Sequence, residues 1–266
     1  MVAPTLVELG PLRNGLGSLR NLELLLKSIK VGQKGLFAAV AAVHADCAAM
    51  IASLGSVSHA LESRGTDADV ARHLSDALCA SLQRLEAALA QSVRSGRLSA
   101  TQRLALEQDL PRLSREIGGT LPLVALVDRA AQPRPPELTP AAWVHLSSAE
   151  GPPPEGVAAF FEASGPDVGL PVDLAAAKLL VVLGCTLVAQ RSAPGPLRLQ
   201  FASEQGAPRT WIGFGPGSGP GIPVRIAALP LVEPTLYCAQ AAARRLGGSF
   251  EYVAEARRVC ISWPLS

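Results

Sequence analysis

Aromatic side chains make up only 4% of this 266-residue chain, so its core must be assembled from Leu, Val and Ala rather than from large rings. Asparagine is scarcer still. Asn14 and Asn21 are its only occurrences, and no aspartate follows Asp173. The five cysteines, at 47, 79, 185, 238 and 260, never fall in a CxxC pair. That spacing speaks against a secreted disulfide framework or a zinc site and predicts reduced, mostly buried thiols and no metal. His145 is the last of the four histidines. No Ser-His-Asp or Cys-His set can be assembled with it, which removes the usual basis for a hydrolase. The first residues, MVAPTLVELGPLRNG, lack a basic segment followed by an apolar core, so no signal peptide is expected. The longest apolar runs, such as Leu179–Ala189, are too short to span a bilayer. The formal net charge of +2 gives no reason to expect nucleic acid or an anionic membrane as partner. These absences together predict a soluble, cytoplasmic protein.

What is present is 48% hydrophobic residues on a chain long enough for two modest domains. Residues 19–30 and 36–62 read as helices, punctuated by Gly32 and Gly35. The second carries Val40, Val43, Cys47, Met50, Ile51 and Leu54 on one apolar face, and its density of small residues suits close helix packing. His44 and His59, on or near it, read as solvated or core-edge histidines. A third helix starts at a Thr66 or Asp67 N-cap and runs to about Ser95. Its apolar residues Val70, Leu74, Leu78, Leu82, Leu85 and Leu89 form the seam of a helix in a bundle. After a turn at 94–97 a fourth helix carries Leu106, Leu110, Leu113, Ile117, Leu121 and Val124. Pro111 and Pro122 within it are expected to start, kink or shorten it.

A proline-rich linker at 132–140 divides the chain. Residues 1–66 form an N-terminal helical region, 67–133 a helical hairpin, and 134–266 a C-terminal domain. In that domain 143–146 is a candidate first strand, 157–162 a strand or short helix, 172–190 an apolar helix and 197–203 a strand. Residues 211–223, WIGFGPGSGPGIP, follow. Neither a Walker loop nor a dinucleotide fingerprint fits them, since no Gly-Lys-Ser/Thr follows and no βαβ unit with a downstream acid surrounds them. A helix over 238–246 stops at Gly247-Gly248, and a hairpin over 248–252 and 258–263 closes the chain.

This order, with Gly217-Ser218-Gly219-Pro220-Gly221-Ile222-Pro223, Leu246-Gly247-Gly248 and the closing Ile261-Ser262-Trp263-Pro264-Leu265, resembles the ATP-binding domain of sensor histidine kinases, the Bergerat or GHKL fold. The hairpin before it resembles their dimerisation and phosphotransfer hairpin. The resemblance runs from Asp67 to the C-terminus. It implies an α+β chain: a hairpin that forms a four-helix bundle on dimerisation, then a Bergerat-type α/β sandwich. One hairpin alone leaves its seam leucines half exposed, which motivates a homodimer.

The residues that carry chemistry in that family depart from the pattern, so the domain is expected to be degenerate. Gly217 stands where the family has the aspartate that accepts from the adenine amino group. Gly219 and Gly221 keep the glycine frame. The asparagine box reads Leu183-Gly184-Cys185-Thr186-Leu187, with Thr186, or alternatively Cys185, in the register of the magnesium ligand. A hydroxyl is a weaker ligand alone and a thiol a poor one. ATP and Mg²⁺ binding is therefore expected to be lost or weak, and no cofactor is expected.

In the hairpin the frame reads Ala71-Arg72-His73-Leu74-Ser75-Asp76-Ala77-Leu78. Arg72 takes the phosphoacceptor register and His73 falls one residue late, about 100° around the helix. The implied function is a non-catalytic signalling protein that binds a response-regulator receiver domain or another histidine kinase through Arg72, His73 and Asp76. A histidine phosphotransferase using His73 is the alternative, and an active histidine kinase the last of the three readings.

Overall fold

The computed structural model describes residues 9–28, 33–63, 68–130, 156–163, 173–191, 197–204, 207–214, 222–227 and 229–263. The chain divides into two compact units, 1–124 and 125–266. Four helices occur in sequence: α1 (Gly10–Lys27), α2 (Gln33–Ser63), α3 (Ala68–Ser95) and α4 (Ala100–Ala130), the last continuing into the second unit.

In the first unit α2 packs on both α1 and α3. Its contacts are made by Val, Leu, Met and Cys with Ala39, while Gly35, Gly55 and most of its alanines face solvent. At the α1 crossing the fit is tight enough that a Cβ on Gly15 would overlap the Met50 thioether. Val40, Val43, Cys47, Met50, Leu54 and Leu61 of α2 are all fully buried. The start of α4 is tied to the end of α1, since Arg103 Nη2 donates to the Leu26 carbonyl at 2.6 Å. That guanidinium supplies a partner for a C-terminal carbonyl that the helix itself leaves unpaired. A capping box starts α4: Ser99 Oγ accepts from Gln102 N, and Gln102 Oε1 accepts from Ser99 N.

Three expectations change. First, α1 begins at Gly10, with Leu12 and Leu16 continuing the buried ladder of Leu19, Leu22 and Leu26. Second, α4 runs unbroken through Pro111 and Pro122. Leu110, Leu113 and Ile117, then Leu123 and Val124, are buried on either side of the two prolines. Their burial, at about 1.5–3 kcal/mol per side chain, outweighs a local cost of about 3 kcal/mol per proline. Third, Leu74, Leu78, Leu82, Leu85, Leu89, Leu106, Leu110, Leu113 and Ile117 are each at most 6% exposed in one chain. The seam leucines are thus buried within one chain rather than half exposed.

The apolar-run reading also changes, because α2 carries a stretch, Lys34–Ser63, that is long and apolar enough by length and composition to cross a membrane. Leu36, Val40, Val43, Met50, Leu54, Val57 and Leu61 of that stretch are buried, and Phe37 and Ile51 are half-buried.

The second unit holds a six-stranded mixed sheet built from β1 (Gly156–Ala163), β2 (Leu197–Glu204), β3 (Ala207–Gly213), β4 (Ile222–Ala227), β5 (Ser249–Val253) and β6 (Arg258–Ser262), in the order β4-β1-β2-β3-β6-β5. Only β1 and β2 are parallel. With helices α5 (Leu174–Arg191) and α6 (Thr235–Arg245), the chain is α+β. Residues 157–162 are strand, not helix, and β4 is a strand that the sequence reading passed over. Pro223 disguised it. A proline cannot donate to a ladder, but β4 is an edge strand, where one side needs no donor. The candidate strand at 143–146 lies outside the described residues.

Helix α5 contacts β1, β3, β4 and β6, and α6 contacts β5. Helix α6 ends in a complete Schellman turn: Gly247 N donates to Arg244 O, Gly248 N to Ala243 O, and Gly247 has φ +88°. A Cβ on Gly248 would overlap the Ser262 carbonyl, so this glycine pair both stops the helix and admits β6. Trp263 locks the final strand, donating Nε1–H to Thr210 Oγ1 at 2.8 Å and its backbone N–H to Pro208 O at 2.9 Å.

Met50→Ala should cost about 2–5 kcal/mol in urea unfolding; a loss under about 1 kcal/mol would show that α1 is not held on α2 at Gly15.

Candidate functional site

The α3 segment predicted to meet a partner is regular helix. Val70, Ala71, Leu74 and Ser75 are buried, while Arg72, His73 and Asp76 are exposed. The one-residue offset of His73 therefore does not hide its imidazole. The buried arc of α3 lies toward α2 and the bundle interior, and residues 72, 73 and 76 all fall on the opposite arc. Arg72 Nη1 lies 3.6 Å from Asp69 Oδ1, with both side chains more than 60% exposed, so this pair contributes little to stability. Ser75 turns inward and gives its hydroxyl to the Ala71 carbonyl at 3.0 Å. Cys79, one turn beyond Asp76, is half-buried, and its thiol is raised above the ordinary value by burial and by the Asp76 carboxylate.

Farther along the helix a groove of about 300 Å³ runs between α3 and α4. Leu85, Ala88, Leu106 and Leu113 line it, with Arg84 and Arg112 among the polar residues. Arg84 Nη2 reaches Ser81 Oγ at 3.2 Å, and Arg112 Nε lies 3.3 Å from Glu116 Oε1. The leucine ladders were legible in the sequence. The groove was not, because its width is set by how α3 and α4 stand relative to one another, which no local pattern marks.

In the second unit, the box Leu183–Leu187 lies inside α5, and each central residue has a packing role. A Cβ on Gly184 would stand 2.6 Å from Ile212 Cδ1 and 3.3 Å from Val259 Cγ1, so glycine sits where the helix crosses β3 and β6. Cys185 is fully buried, and desolvation pushes its thiol far up. Thr186 is 1% exposed. Its Oγ1 donates to the Val182 carbonyl at 2.8 Å and accepts from the Leu229 N–H at 3.3 Å. The hydroxyl thus ties α5 to the segment after β4, 43 positions along the chain.

A magnesium ion does not fit this position. Mg²⁺ demands octahedral oxygen ligands and keeps several waters. The one hydroxyl here is engaged on both sides and shut away from solvent, and the neighbouring thiol stays protonated. Among the described residues no three His, Cys, Asp or Glu side chains group as metal ligands. Gly217, Gly219 and Gly221 lie outside the described residues.

No protein-family model matches the chain, and no curated protein sequence does. Solved structures similar to it include the histidine kinase AdeS of Acinetobacter baumannii, at 15% identity and a TM-score of 0.40, over 70% of this chain and 95% of that one. Another is the EL346 blue-light activated histidine kinase of Erythrobacter litoralis, at 21% identity and a TM-score of 0.33, over 73% of this chain and 60% of that one.

Thr186→Val should destabilise the protein by about 1–3 kcal/mol, because the Leu229 N–H loses its acceptor, whereas Thr186→Ser should retain most of that stability. Equal behaviour of the two variants would remove the structural role. Iodoacetamide should modify the native protein at Cys79 alone. The raised thiol pKa makes that reaction slower at pH 8 than for free cysteine and faster as pH climbs past 9; mass spectrometry showing a second modified thiol would contradict the burial of the other four.

Proposed function

We infer that this chain is a non-catalytic, histidine-kinase-like signalling protein of the cytoplasm that docks a receiver domain, or another histidine kinase, through the exposed flank of α3. The observation that carries the reading is Thr186. At the place where the resemblance puts a magnesium ligand, the hydroxyl is buried and spent between Val182 and Leu229. Phosphoryl transfer from ATP depends on metal-assisted positioning and charge neutralisation, so a domain that fails at that ligand serves as structure. Its proposed relation to nucleotide is weak binding or none. Arg72, His73 and Asp76 remain together on the solvent side of α3. Arg72 cannot accept a phosphoryl group, but its guanidinium matches the acidic pocket of a receiver domain.

One observation favours a second reading, histidine phosphotransfer, namely the exposure of His73. In that reaction an imidazole nitrogen attacks the phosphorus of a receiver's aspartyl phosphate. The P–N bond forms as the P–O bond breaks, the aspartate leaves as carboxylate, and the imidazole sheds its proton to water.

Incubation with a phosphorylated receiver separates the two. The docking reading expects no acid-labile phosphate on the chain and binding that weakens at least tenfold with Arg72→Ala. Acid-labile phosphate on the wild type but not on His73→Ala would overturn it in favour of phosphotransfer. Calorimetry with Mg-ATP should give no binding tighter than about 100 μM, roughly −5.5 kcal/mol; a clearly smaller dissociation constant would sink the claim that the nucleotide site is lost.

A further inference from the structure

We draw no further inference here: the strongest candidate, the groove between α3 and α4, carries nothing, because Leu85, Leu106 and Leu113 in its lining are already closed off from solvent, its cations Arg84 and Arg112 are matched by Asp109 and Glu116, and nothing in the structure shows what covers it.

Discussion

The buried row of α2 is the constraint on which the first unit depends. Val40, Val43, Cys47, Met50, Leu54 and Leu61 are all closed off from solvent, while most of the alanines between them are exposed, and α1 and α3 both pack on this helix. At one crossing the fit leaves no room for a side chain on α1, where Met50 lies over Gly15. The same packing turns Val70, Leu74 and Leu78 of α3 inward and leaves Arg72, His73 and Asp76 among its solvent-facing residues.

A different constraint governs the second unit. Helix α5 crosses the sheet at a glycine and fastens the segment after β4 through the Thr186 hydroxyl. A side chain used twice in hydrogen bonds and closed off from water is a fastening, and the same atom cannot also present an open coordination site to a hydrated cation. The Schellman turn at Gly247-Gly248 and the Trp263–Thr210 bond complete the sheet's far edge. Thr186 and Trp263 are thus accounted for as fastenings of the fold.

What could be read from the sequence was what repeats locally. The leucine ladder of α3, the end of α6 at Gly247-Gly248 and the closing hairpin each follow from short-range periodicity or one conformational requirement. Features set at long range escaped. Arg103 meets Leu26, and Thr186 meets Leu229, across gaps that no local pattern marks. Strand β4 was concealed by a proline tolerated only because the strand lies at an edge. The continuity of α4 through two prolines depends on burial supplied by other helices. For the site, the apolar seam of α3 already put His73 on a solvated flank, and the structure places Arg72 and Asp76 on the same exposed arc.

The most direct test of the account is the hydrogen-exchange footprint of a binding receiver domain on the full chain. Slowed exchange should be confined to α3 and the facing part of α4, centred on residues 72–84. Protection centred on α5 and residues 215–221, with none on α3, would contradict it and return the second unit to the role of the working site.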